Sequence, residues 1–322
     1  MFALRGLIVC FSLFAVLYLS LSIAVRGSWR IVWLRIKKCS AKRCANLLFA
    51  LRLLPLAVAG VATLALAVPS FLLLEPRAVS EPLTFVPVAL GLCGMGILAA
   101  GIWNAAAALR RTSQIIAGWS RTQDFPIADR AIWDCGSIPV YGITGMAPPL
   151  TVAGIVRPGI WLTRAAECEL TNAELQCALR HELKHVHRRD NLRKLILRFA
   201  AFPGMRALDE AWQDAAEMAA DDATVTSASD ALDLAAAMIK LSRTFPLEPA
   251  PALTATFISS PARSLQQRIE RLLAWTEPRP ISHGQRRWYG LAAAGLASAS
   301  VFVFAYGGLL AWIHAATEWL VR

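Results

Sequence analysis

Apolar residues dominate four stretches of the chain, Leu7–Val25, Leu47–Leu74, Leu83–Leu109 and Trp288–Ile313, and none of the four contains an acidic residue. Each supplies the roughly 20 residues of helix that cross a hydrocarbon core of about 30 Å, so four transmembrane helices are expected. Arg52 stands near the start of the second stretch, close enough to its end for the guanidinium to snorkel toward the headgroups.

Between Thr112 and Gln285 the pattern turns mixed, and one domain's worth of chain alternates helical periodicity with turn-rich segments. Short β-branched and apolar runs at Val140–Ile143, Leu150–Val156 and Gly159–Leu162, separated by Gly and Pro, predict two or three strands in a small, hairpin-rich sheet. Their prolines keep these strands near an edge. Thr171-Asn172-Ala173-Glu174 is a T-x-x-E capping box, and Leu175, Leu179, Leu183 and Val186 after it share one helical face. A helix is therefore predicted from Thr171 to about Ala201, where Pro203-Gly204 breaks it. Further helices are expected over Arg206–Val225, Ala231–Arg243 and Ser264–Trp275, with a Pro-rich connector at Phe245–Pro251. The predicted fold is a mainly α integral membrane protein: residues 1–111 with three spans, an α+β domain over 112–287, and residues 288–322 with the fourth span and a short tail.

Composition agrees with a membrane: 56% of the 322 residues are hydrophobic. The net charge of +11 would suggest nucleic acid, but its placement says otherwise. Residues 26–52 carry eight Lys/Arg and no Asp or Glu, whereas 110–287 balance 22 Lys/Arg against 19 Asp/Glu. Most of the basicity is a topology signal. It places the loop 26–46 in the cytoplasm, the Glu75–Pro82 loop outside, and the large domain, flanked by Arg110/Arg111 and Arg286/Arg287, in the cytoplasm. The expected location is the inner (cytoplasmic) membrane, crossed several times, with no direct contact to nucleic acid. Because the positive charges follow the first apolar run, with only Arg5 before it, that run reads as an uncleaved span rather than a signal peptide. Seven cysteines include no C-x-x-C pair, which argues against a cysteine metal site.

The candidate chemistry lies on the capped helix. His181-Glu182-Leu183-Lys184-His185 is an H-E-x-x-H sequence; two His four residues apart project from one helix face and can bind one metal ion, with Glu182 beside its open position. That stripe is out of phase with Leu175/Leu179/Leu183, so one face packs on the core and the other is available to a metal. Catalytic zinc needs a third protein ligand, and the next predicted helix offers Glu217 with Asp221 one turn on. Glu217 would bind the single Zn²⁺, and Asp221 would hold an imidazole N–H of one ligand His. Glu182 would act as general base in peptide hydrolysis. An extended substrate would add to an edge strand, placed at Val152, Ala153, Gly154 and Ile155. Arg188-Arg189-Asp190 reads as a charged helix face, and His187 points elsewhere.

Across HELKHVHRRDNL at His181–Leu192 and EMAAD at Glu217–Asp221, the chain resembles the gluzincin membrane peptidases, most closely the BlaR/MecR-type family. The resemblance extends to GIVRPGIWLT at Gly154–Thr163 and QQRIERLL at Gln266–Leu273. It implies a gluzincin-like zinc domain between the third and fourth spans, His181, His185 and Glu217 as ligands, and Glu182 as base. It also implies signalling, by cleavage of a cytoplasmic repressor or other regulatory partner. The penicillin-binding sensor domain of that family is not expected here, since no S-x-x-K occurs in the sequence. Two other readings compete: a membrane-protein quality-control or processing peptidase of the same class, and a non-enzymatic membrane scaffold or sensor in which zinc only staples two helices.

Overall fold

A computed structural model describes residues 2–75, 84–121, 138–144, 147–245, 253–257, 262–276 and 306–316. The chain divides into two compact units: Met1–Gly27 with Leu53–Ala100 and Pro278–Arg322, and Ser28–Arg52 with Gly101–Glu277.

Three helices are long and apolar enough to cross a membrane: α1 (Phe2–Ile36); α2 (Ala41–Ala62) continued through a π-helical turn (Thr63–Ala67) into α3 (Val68–Leu74); and α4 (Phe85–Arg121). All three outrun the apolar limits expected from sequence, because a helix continues past the hydrocarbon-like segment until something ends its hydrogen-bond ladder. Of the fourth predicted span, Trp288–Ile313, residues up to 305 lie outside the described ones, and 306–316 are helical.

In the first unit the π-helical turn has an identifiable cause. Pro69 has no N–H to donate and its ring crowds the preceding turn, so the helix widens just before it. The carbonyl of Ala65, four residues back, instead accepts from the Tyr306 hydroxyl at 2.7 Å. Ser12 Oγ likewise donates to the carbonyl of Pro87 at 2.6 Å, and Ser70 Oγ to Leu310 at 3.0 Å. Side-chain hydroxyls thus join helices where the backbone cannot.

The second unit holds a small mixed sheet with strand order β1-β3-β2-β4, formed by β1 (Val140–Ile143), β2 (Leu150–Ala153), β3 (Gly159–Thr163) and β4 (Thr254–Thr256). β2 and β3 form the expected antiparallel hairpin, with Val152 opposite Ile160. β1 joins β3 in parallel, and β4 adds antiparallel to β2, with Val152 opposite Ala255. β4 is a strand that the sequence pattern did not predict: three residues beyond a Pro-rich connector carry no period. Gly154 ends β2 at φ +98°, where a Cβ would lie 2.5 Å from the Arg157 carbonyl oxygen, so the tight return into β3 requires glycine.

Against this sheet pack α5 (Arg164–Glu169) and α6 (Asn172–His187), α9 (Ala228–Thr244) packs on α6, and α10 (Ala262–Leu273) packs on α9, with Leu150, Ile160, Leu162, Leu175, Leu179, Leu234, Met238 and Leu272 in one buried core. The capping box of α6 forms at both bonds: Thr171 Oγ1 accepts from the Glu174 N–H, and Glu174 accepts from the Thr171 N–H. The helix predicted to run on to Ala201 is two helices. α6 stops at His187, Arg189 adopts φ +53°, and α7 (Asp190–Phe199) leaves in a new direction. A left-handed arginine is unfavourable by itself, and what it achieves locally is to turn Asp190 inward. α8 (Arg206–Thr224) then lies against α6.

A second correction concerns Arg52. It does not snorkel: it is 2% exposed, and its Nε donates to Asp209 Oδ1 of α8 at 2.9 Å.

Candidate metal centre

His181 and His185 leave α6 on the face opposite its leucines and are 0% and 4% exposed. Their Nε2 atoms face each other at 3.1 Å. From α8, Glu217 places Oε2 3.4 Å from His181 Nε2 and Oε1 3.6 Å from His185 Nε2. One ligand atom from each residue falls within 4.8 Å of the others, so this His/His/Glu group can hold a metal ion. Two imidazole nitrogens and a carboxylate suit a borderline ion such as zinc.

Both imidazoles have a carboxylate at the nitrogen that faces away from the cluster. His181 Nδ1 lies 3.0 Å from Asp221 Oδ1, and His185 Nδ1 lies 2.8 Å from Asp190 Oδ2. Partners of this kind fix ring orientation and raise ligand basicity. Asp190, read from sequence as part of a solvated face, is 1% exposed and belongs to the site. The cue available in the sequence was an acid five residues past the second His, and recognising it required knowing that the helix breaks at Arg189.

Arg268 is the other residue the sequence reading missed. It comes from α10, is 2% exposed, and grips Asp221 with Nε and Nη2 at 2.8 Å each. Its Nη1 also stands 3.1 Å from Glu217 Oε2. It lies within QQRIERLL, where an amphipathic pattern makes an arginine look exposed. The half-buried Lys194 of α7 adds a second cation, bonded to the Thr254 carbonyl at 2.7 Å.

Glu182 is 0% exposed, and neither carboxylate oxygen has a hydrogen-bond partner among the described residues. Burying a carboxylate without partners is costly, which is why such groups cluster at functional sites. Burial pushes its pKa up to about 7, against the pull of His185 and His181. For His185, burial opposes the charged ring, but Glu217 and Asp190 outweigh it and lift the pKa to about 10. Burial likewise opposes the Asp221 anion, and Arg268 with His181 overcomes it, holding the pKa at about 2. Glu217 sits well below the usual carboxylate range for the same kind of reason, with His185 and Arg268 offsetting burial.

A field that holds a proton on His185 also attracts a dication, and ligands must lose protons to bind one. The sign follows: with its metal-free pKa above neutrality, His185 enters coordination by releasing a proton, so metal affinity increases with pH across the neutral range. Titration calorimetry at pH 7 in buffers of different ionisation enthalpy should show about one to two protons released per ion bound. No release would mean that the ring is already neutral before the ion binds, so that Glu217 and Asp190 do not hold a proton on it.

A groove of ≈ 520 Å³ opens beside His185, lined by Gly154, Ile155, Val156, Asn191 and Leu192 among others. Asn191 Nδ2 ties α7 to this rim through the carbonyls of Val152 at 3.3 Å and Gly154 at 3.2 Å. The expected open edge at Val152–Ile155 needs correction. Val152 and Ala153 are paired on both sides, by β3 and β4, because the unpredicted β4 takes the free side of β2. Gly154 and Ile155, past the last pair, line the groove.

No family model matches this chain, and comparison with curated proteins finds no match either.

Proposed function

We propose that the protein is a membrane-embedded zinc endopeptidase with a gluzincin-like domain on the cytoplasmic side of the inner membrane. In this reading the helical segment 306–316 belongs to a fourth span, and the domain lies between the third and fourth. The observation that carries the proposal is Glu182: a buried carboxylate with no hydrogen-bond partner among the described residues, on the same helix as two converging imidazoles. A site that served only to staple helices would have no use for a base at that position.

His181, His185 and Glu217 would hold the ion, which when bound supplies a Lewis acid and lowers the pKa of a coordinated water. Asp221 and Asp190 keep the two rings turned toward it. Glu182 takes the proton of the attacking water and delivers it to the leaving amine nitrogen, and its elevated pKa suits both tasks. Backbone groups at Gly154 and Ile155, in the groove beside His185, would receive an extended peptide. The proposed substrate is a cytoplasmic protein, and cleavage of a repressor or other regulatory partner is the reading that the sequence resemblance supports.

The full chain purified in detergent micelles should contain one zinc ion and hydrolyse a quenched-fluorescent casein. Activity should vanish with a chelator and return with zinc. Stoichiometric metal with no hydrolysis of casein or of a mixed peptide library would favour the zinc-stapled scaffold instead.

A further inference from the structure

The first part of α2, up to Arg52, belongs to the same compact unit as the metal centre. Its buried face runs through Ala41, Ala45, Leu48 and Arg52, which are 9%, 0%, 0% and 2% exposed. Three side chains on this segment reach α8, which carries Glu217, and α7, which carries Asp190. Arg52 bonds Asp209 of α8 at 2.9 Å, and the Phe49 ring lies 6.3 Å from that of Trp212, one turn further along α8. The carbonyl of the Asn46 side chain accepts from Arg193 Nη1 of α7 at 3.1 Å, and the Arg193 guanidinium also stands 5.4 Å over the Phe49 ring.

Each contact leads back to the cluster along one helix. Asp209 and Glu217 are on one uninterrupted helix, about 12 Å apart at 1.5 Å per residue. Arg193 is one turn past Asp190, the carboxylate on His185, and lies 4.0 Å from its Oδ1. The far end of α7 is held as well: at Gly101 of α4 a Cβ would come 2.6 Å from the Phe199 carbonyl oxygen, so the two helices approach closely there.

We infer that the start of α2 is a positioning element for the metal centre, in which Arg52, Phe49 and Asn46 set where α8 presents Glu217 and where α7 presents Asp190. This rests on the reading of the cluster as a metal site. The Arg52–Asp209 pair is buried at the guanidinium and 35% exposed at the carboxylate, so it adds little net stability, and what it supplies is a fixed point that sets the axial register of α2 against α8. Register is what a three-ligand site from two helices depends on, since Glu217 must meet both imidazoles at once.

The test uses the full chain in phospholipid nanodiscs, with zinc affinity measured by competition against a chromophoric chelator and coordination read from the Co²⁺ d–d spectrum. Arg52→Met should weaken zinc binding by roughly threefold to thirtyfold, the range of coupling through residues that touch no ligand, and should alter the Co²⁺ spectrum. The reversed pair Arg52→Asp with Asp209→Arg should recover most of that loss. If Arg52→Met does not fold, the milder Phe49→Leu must show the same spectral change. Wild-type zinc affinity and spectra in these variants, with or without a loss of thermal stability, would overturn the inference, and so would a reversed pair no better than the single changes. A wild-type chain that takes up neither Zn²⁺ nor Co²⁺ would overturn the metal reading itself, which is a separate and recognisable result.

Discussion

Glu182→Gln should lower the hydrolysis rate by about 10²–10⁴-fold, the usual contribution of a positioned general base, while zinc stays bound. The amide is nearly isosteric, so the packing around α6 is kept and only proton transfer is removed. Stability should not suffer. The wild-type carboxylate is fully buried and unpaired among the described residues, so a neutral group in its place relieves a desolvation cost rather than adding one. The combination is diagnostic: full metal content, an unchanged or raised melting midpoint, and activity near background. Metal analysis, thermal unfolding and casein hydrolysis on one preparation measure all three. Hydrolysis retained within threefold of wild type would remove Glu182 as the base.

What could be read from sequence was whatever is periodic and local. The capping box at Thr171, the leucine stripe of α6 and the i,i+4 spacing of His181 and His185 all fall within one helix, where 3.6 residues per turn converts spacing into direction. Glu217 and Asp221 follow from the same arithmetic on α8. Asp190 was hidden by the left-handed backbone at Arg189, which a straight helix through to Ala201 leaves out and which no glycine announces. Arg268 and β4 were hidden by distance. Arg268 bonds a residue 47 positions away, and β4 pairs with a strand about a hundred residues earlier, so neither leaves a periodic trace. Arg52 misled for a different reason. A cation near the end of an apolar run is ordinarily solvated by headgroups, and only the tertiary structure supplies Asp209 as its partner.

Arg268 governs the second large effect. Its guanidinium neutralises two buried carboxylates, Asp221 through two 2.8 Å bonds and Glu217 at 3.1 Å, at positions where each acid is less than 10% exposed. Arg268→Met keeps the volume and leaves those charges without their cation, a change that costs about 3–5 kcal/mol when one partner of a buried pair is removed. Lysine in its place should be intermediate, since one ammonium cannot reproduce the planar fork that grips both oxygens of Asp221. The loss should also depend on metal. In the metal-free protein His185 and Arg268 are the groups that hold the Glu217 anion, whereas a bound dication would set two charges against the same carboxylate where the His185 proton sets one. Arg268→Met should therefore lower the melting midpoint of the metal-free chain by on the order of 10 °C, and by clearly less once zinc is loaded. Equal losses in the two states would mean that Arg268 and the ion do not share Glu217, and a loss under 1 kcal/mol in both would mean that the pair is not buried as described.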